Sequence, residues 1–127
     1  MKKAIVNGRY FVAPSLIGGG GSGLFCGMKP IPKGQHLFIA FARADFSVQM
    51  EGVASFEQHF SQLYPNNYVN HSESPNTVNM WLGELYIVKK ALRDIMPGEE
   101  ILSDYKQGMR IIKSKGYDMN NWLFFKK

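Results

Sequence analysis

Cysteine is almost absent: Cys26 is the only one in 127 residues. An intrachain disulfide and a cysteine-based zinc site are therefore excluded, and a reduced, intracellular setting, cytoplasmic or nuclear, is the simplest expectation. Long hydrophobic runs are missing too. None approaches the roughly 18 residues of a membrane span, and the apolar stretch behind Lys2 and Lys3 is too short for a secretory leader. No membrane partner is expected, and the sequon Asn70-His71-Ser72 is discounted without an export signal. His36, His59 and His71 are dispersed and no H-x-x-x-H occurs, so no metal is expected. Serine and cysteine nucleophiles lack a G-x-S-x-G or comparable context. Charge of one sign is missing from two long stretches. Residues 1–43 carry six bases and no acid, whereas residues 44–88 carry Asp45, Glu51, Glu57, Glu73 and Glu84 and no Lys or Arg. Either these acids attract a basic peptide, or they are scattered over a solvated surface. The net charge of +5 alone points to nucleic acid. No helix-turn-helix, finger or RNP motif accompanies it, so direct nucleic-acid binding is not expected.

What is present describes a globular chain. Hydrophobic content of 45% and aromatic content of 13% exclude wholesale disorder, and the length predicts one domain over 1–127. Residues 3–6 and 9–13 around Asn7-Gly8 read as a hairpin. Gly18 to Gly21 force an irregular loop, and Leu24 to Met28 read as a short strand stopped by Pro30 and Pro32. The run from Leu37 to Ala42 reads as a buried strand, and Leu85 to Val88 as another. Phe56, Phe60 and Leu63 fall at helical spacing, predicting a short amphipathic helix over 54–63. Met96-Pro97-Gly98-Glu99 is a turn with a solvated Glu99-Glu100. Ile101 to Tyr105 reads as a strand, 106–116 as a helix, and Trp122 to Phe125 as an apolar tail. The sum is a mainly β, α+β domain.

The glycine loop matches G-x-G-x-x-G at Gly18, Gly20 and Gly23, but prolines arrive too soon for the helix that a dinucleotide fingerprint needs. A P-loop would require Gly-Lys-Ser/Thr, which is absent. The loop is then either plain flexible backbone, or, at Gly21-Ser22-Gly23-Leu24-Phe25, a place where a ligand approaches the main chain. Asn70 and His71 are either ordinary loop residues or donors and acceptors for an adenine-like ring edge.

Four elements in order carry a resemblance: Gly21-Ser22-Gly23-Leu24-Phe25, Lys33-Gly34, Asn70-His71-Ser72-Glu73-Ser74-Pro75-Asn76, and Pro97-Gly98-Glu99-Glu100-Ile101-Leu102-Ser103-Asp104-Tyr105. Together the chain resembles the SET-domain family of protein-lysine methyltransferases, in its minimal viral and bacterial form without cysteine-rich flanks. The resemblance implies a β-clip fold of several small sheets with one or two short helices. Its core would span 5–105, with an insert at about 44–66 and a lid or tail at 106–127. The N-H-S segment would pass through a loop closed by G-E-E…D-Y, a C-terminal pseudoknot. It also implies S-adenosyl-L-methionine as cofactor, S-adenosyl-L-homocysteine as its product form, and methyl transfer to a lysine amine in a basic tail, such as a histone's. Gly21, Ser22, Gly23 and Leu24 would contact the cofactor through backbone, with Tyr68, Asn70 and His71 as further contacts and Tyr105 as the active-site tyrosine. Phe41, Asn79 and Ser103 would line the substrate channel, Trp122 would cover the adenine, and Phe124 or Phe125 would close the channel; alternatively the tail completes the core. A second copy of the chain is among the implied partners.

The chemistry suits these residue types. A lysine amine, with an ordinary pKa of about 10.4, must lose its proton before attack, and an apolar channel favours the neutral form. Positioning supplies much of the acceleration. Many family members carry Tyr or Phe where Ser103 and Asn79 stand, and Tyr where Phe41 stands. These departures leave mono-, di- and trimethylation open, and they carry the alternative of a catalytically weak module that binds basic peptides or cofactor.

Overall fold

The computed structural model describes residues 4–6, 8–17, 21–43 and 60–115. Its first three strands, β1 (Ala4–Val6), β2 (Tyr10–Pro14) and β3 (Ser22–Cys26), form an antiparallel sheet. Gly8, at φ 76°, turns β1 into β2 as the hairpin reading requires. β3 ends at Cys26, two residues earlier than its apolar content predicts, with Gly27 N–H still donating to the Arg9 carbonyl opposite it.

A second sheet has the order β5 (Phe60–Gln62), β4 (His36–Arg43), β8 (Tyr86–Ala91), β7 (Thr77–Leu82). β4 and β8 extend the two strands expected around Leu37–Ala42 and Leu85–Val88. β4 is less uniformly buried than its apolar run implies: register shifts against β8 leave Ile39 exposed. Helical spacing at Phe60 misleads outright. Phe60 and Ser61 are both buried, and the segment pairs antiparallel with Phe41–Arg43 at the open edge of β4. Residues 54–59 of that expected helix, Phe56 included, lie outside the described residues. β7 carries too few consecutive apolar residues to announce itself, and it forms because β8 offers it a full antiparallel ladder from Thr77↔Ala91 to Leu82↔Tyr86.

A short 3-10 turn (Asn66–Tyr68) leads into β6 (Asn70–His71), which pairs in parallel with β9 (Leu102–Ser103). Asn76 locks this pairing: its Nδ2 donates to the Glu100 carbonyl and its Oδ1 accepts from Leu102 N–H. On the other side the same stretch runs along β3, with Ile101 N–H donating to the Leu24 carbonyl and Cys26 N–H to that of Glu99. Residues 99–103 are thus held between β3 and the 70–77 segment, the crossing expected of the pseudoknot. The predicted strand to Tyr105 stops at Ser103. Asp104 instead accepts from Lys106 N–H as a helix cap, and Tyr105 opens α1 (Tyr105–Lys113).

Two apolar clusters support these elements. Tyr10, Leu24, Ile31, Ile95 and Ile101 pack between the first sheet and the 95–101 stretch. Phe41, Phe60, Ile87 and Ile112 pack between the second sheet and α1, beside Trp81, whose Nε1 donates to the Ile111 carbonyl. Among the described residues, no helix is long and apolar enough to cross a membrane.

Candidate functional site

The motif residues converge through hydrogen bonds. Asn70 Nδ2 donates to the Ser22 carbonyl at 2.8 Å and to Glu100 Oε2 at 3.2 Å, tying the 70–76 segment to the glycine element. Glu100, expected in a solvated turn, is buried. Its carboxylate also accepts from Ser15 Oγ and from Leu16 N–H, so one side chain fastens three segments. Only its neighbour Glu99 behaves as a turn residue, paired with exposed Arg93. Gly21 and Ser22 are exposed, and a Cβ on Gly21 would meet nothing within 4 Å. A Cβ on Gly23 would collide with Glu100 Oε2. Leu24 is fully buried in the first apolar cluster.

Tyr105 is held at both ends. Its backbone N–H donates to His71 Nδ1 at 3.0 Å, and its hydroxyl donates to the Val69 carbonyl at 2.7 Å. The His71 and Tyr105 rings lie with centroids 5.0 Å apart. Accepting at Nδ1 requires that nitrogen to be unprotonated. Burial raises the Tyr105 phenol above its ordinary value of 10.0, so it is neutral at physiological pH. A hydroxyl whose proton is given to Val69 acts toward a third group as an acceptor. Tyr68 is half-buried against the first cluster, its ring edge-on to Tyr64.

A small pocket, open to solvent, lies beside Tyr105, lined by Phe41, Gln62, Asn66, Val69, Asn79, Lys89, Ser103, Tyr105 and Gly108. Phe41, Asn79, Ser103 and Tyr105 are thereby brought to one place. Its lining is mainly apolar but includes a polar cluster. Asn79 and Lys89 are cross-strand partners on β7 and β8, and Lys89 Nζ donates to Asn79 Oδ1 at 2.7 Å and to Ser103 Oγ at 3.0 Å. Gln107 on α1 completes this wall, accepting from Asn79 N–H and Nδ2 and donating to the Asn79 carbonyl. Where an aromatic pair would make a greasy wall, Ser103 and Asn79 make a polar one around a buried amine.

Lys89, Asn66 and Glu100 escape motif reading. For Lys89 a signal existed: alternation along β8 puts it on the same face as buried Ile87, pointing toward α1 rather than solvent. Trp122, Phe124 and Phe125, and the acidic residues Asp45, Glu51 and Glu57, lie outside the described residues. Among the described residues, no three of His, Cys, Asp and Glu gather as metal ligands.

Burial lowers the Lys89 pKa to about 7. Between that value and about 10.4, the unfolded chain binds a proton that the folded one does not, so stability rises with pH. Above pH 9 the buried Cys26 and Tyr10 and the half-buried Tyr105, whose pKa values are raised by desolvation, act with the opposite sign. Denaturant unfolding should therefore show stability climbing from pH 7 to 9 by up to about 1.4 kcal/mol per unit. Lys89→Met should flatten that slope, whatever it does to absolute stability; an unaltered slope would remove Lys89 as its source.

With this geometry in place, comparison with known proteins assigns the class. The SET-domain family model matches residues 21–106, more than half of the chain, and the chain belongs to the SET-domain family. Its fold matches solved structures. A humanised mutant of the Chaetomium thermophilum Polycomb Repressive Complex 2 superposes with a TM-score of 0.56 at 22% identity, over 74% of this chain and 14% of that one. A Plasmodium falciparum protein assigned as a histone methyltransferase gives 0.56 at 20% identity, over 76% of this chain and 96% of that one. The Chaetomium complex in an autoinhibited conformation bound to S-adenosylmethionine gives 0.56 at 16%, over 82% and 16% respectively. At these identities the likeness is one of fold. No curated protein matches in sequence.

Proposed function

We propose that this protein transfers a methyl group from S-adenosyl-L-methionine to a lysine amine in a basic protein tail, such as a histone's. The observation that carries this reading is the hydrogen-bonded run from Ser22 through Asn70 and the adjacent His71 to Tyr105, ending at the cavity. The residues fit the cofactor. Gly21 is exposed, with open space where a side chain would stand, next to exposed Ser22, whose carbonyl accepts from Asn70. Gly21, Ser22 and Gly23 would hold its amino-acid part through main chain, with Leu24 set by its burial, and Tyr68, Asn70, His71 and Trp122 would hold the adenosine part. When bound it supplies a methyl group on a sulfonium.

The protein's own residues prepare the amine. Burial disfavours an ammonium in the pocket, in the same direction as it lowers the pKa of Lys89. Tyr105, neutral and anchored on Val69, accepts an N–H of the incoming amine and so directs its lone pair, with no strong base required. Two SET neighbours of similar fold, one assigned as a histone methyltransferase and one bound to S-adenosylmethionine, support the same reading.

The acidic residues Asp45, Glu51 and Glu57 would attract a basic tail. Replacing all three by their amides should raise the KM for a basic peptide several-fold, more at low salt than high, with kcat unchanged. A KM that stays put at low salt would remove electrostatic capture from the account. The whole reading is tested by incubating protein, cofactor and basic peptide, and locating any added methyl by fragmentation mass spectrometry. A catalytically weak binding module is the second reading, favoured by the polar Asn79–Lys89–Ser103 wall. It predicts thermal stabilisation by cofactor with no product.

A further inference from the structure

Lys89 is a buried titratable group for which the proposed chemistry has no use. It is 2% exposed on β8, an interior strand of the second sheet, and it lines the same pocket as Tyr105. Its hydrogen bonds run to uncharged oxygens, Asn79 Oδ1 and Ser103 Oγ, and no carboxylate pairs with it among the described residues. Asn79 is held in that sense, because its Nδ2 donates to Gln107 Oε1 and leaves Oδ1 to Lys89. A neutral amine has two N–H bonds, and these two oxygens satisfy it. An ammonium has a third, which meets no acceptor among the described residues. The wall is built for the neutral form, and burial lowers the Lys89 pKa to about 7.

Few other charges bear on this amine. β7, β9 and β5 carry no titratable side chain, and β4 carries only His36 and Arg43, at its two ends. On α1, Tyr105 lines the pocket, whereas Lys106, Arg110 and Lys113 are exposed. His71 lies beside the Tyr105 ring, with Asp104 near its Nδ1.

We propose that Lys89 gates the pocket by charge: protonated, it disfavours the cofactor's sulfonium relative to the neutral thioether left after transfer, and neutral, it admits both alike. The inference rests on the methyl-transfer reading of the same pocket, because the sulfonium must face the amine that Tyr105 orients. S-adenosyl-L-methionine and S-adenosyl-L-homocysteine differ by one methyl and one positive charge. Contacts to the methyl do not change with pH. Repulsion between two cations does, since it exists only while Lys89 holds its proton. Acid pH therefore tilts binding from the cofactor toward its product form. By reciprocity, binding the sulfonium must weaken the hold of Lys89 on its proton, and binding the thioether must not.

Calorimetry with each ligand from about pH 6 to about pH 9 tests the gate in wild type, Lys89→Gln and Lys89→Met. Glutamine keeps a donor for Asn79 Oδ1 but does not titrate. The affinity for S-adenosyl-L-methionine relative to S-adenosyl-L-homocysteine should rise with pH about fivefold more in wild type than in either variant, the low end of site-to-site coupling because the pocket is open to solvent. His71 and the amine of the ligands are common to all three proteins, so the difference belongs to Lys89. A ratio that follows pH equally in wild type and variants overturns the gate. A second measurement needs no variant. Heteronuclear NMR of the lysine side chains should show the lysine that titrates at about 7 shifting down by about 0.7 pH unit with S-adenosyl-L-methionine and not with S-adenosyl-L-homocysteine, the same fivefold effect read from the other side. An equal response to both ligands overturns the gate. Lysine methylation without the pH-dependent difference would sink the gate and leave the transfer reading standing. The difference without any methylated lysine would do the reverse.

Discussion

Tyr105→Phe should lower kcat by roughly 100-fold while leaving cofactor affinity within about twofold. The hydroxyl it removes is fixed to the Val69 carbonyl at 2.7 Å on the cavity wall, and Tyr105 N–H is separately fixed to His71. Phenylalanine keeps the ring against His71 and the backbone bond, so the part of the site that would hold cofactor is undisturbed. What disappears is the oxygen that would orient the amine lone pair. A secondary cost follows at Val69: its carbonyl loses a donor in a largely buried setting, worth about 1 kcal/mol of stability. Single-turnover kinetics with cofactor saturating would separate the two effects. Wild-type kcat in the variant would remove Tyr105 from the chemistry. Because burial raises the phenol pKa above 10.0, wild-type activity should also show no loss attributable to Tyr105 ionisation anywhere below that pH.

Gly23→Ala should be strongly destabilising. Its Cβ would overlap Glu100 Oε2, stand 3.0 Å from Glu100 Cδ and 3.3 Å from Asn70 Nδ2. The usual escape, in which a flexible acid swings away, is closed, because Ser15, Leu16 and Asn70 all bond that carboxylate. The strand must move instead, at a cost of about 2 kcal/mol, which is roughly 8 °C of Tm for a domain of this size. Moving it also displaces the Ser22 carbonyl that Asn70 reads, so cofactor-induced stabilisation should shrink with it. Gly21→Ala, with open space at its Cβ, is the control and should leave Tm unaltered. Combining Gly23→Ala with Glu100→Ala should cost less than the sum of the two, since the second change removes the obstacle met by the first. Additive losses would show that the contact with Glu100 is not the cause.

The four ordered motifs make the family and most of the candidate site legible in the sequence alone. Segments whose conformation is decided locally are readable as well: the Gly8 turn, the Gly98 turn at φ 84°, and the helix after Tyr105. Reading fails where a distant partner decides. Phe60–Gln62 has helical spacing yet fills the edge of β4, and β7 exists because β8 offers its ladder. Tyr105 reads as the end of a strand, and Asp104 turns it into the first residue of α1. The polar cluster in the pocket is hidden for a related reason. Lys89 sits among basic residues in sequence and looks solvated, whereas β8 alternation and packing beneath α1 bury it against Asn79 and Ser103. Glu100 looks equally solvated beside Glu99. Its burial is created by the crossing of residues 99–103 between β3 and the 70–77 segment, which no local pattern encodes.

The central claim is methyl transfer to a lysine amine through Tyr105. Incubating the protein with isotopically labelled S-adenosyl-L-methionine and a basic peptide containing both lysine and arginine tests it directly. The account predicts label on lysine nitrogen, lost in Tyr105→Phe while cofactor binding persists. Label on arginine, or no label although the cofactor binds, would contradict it.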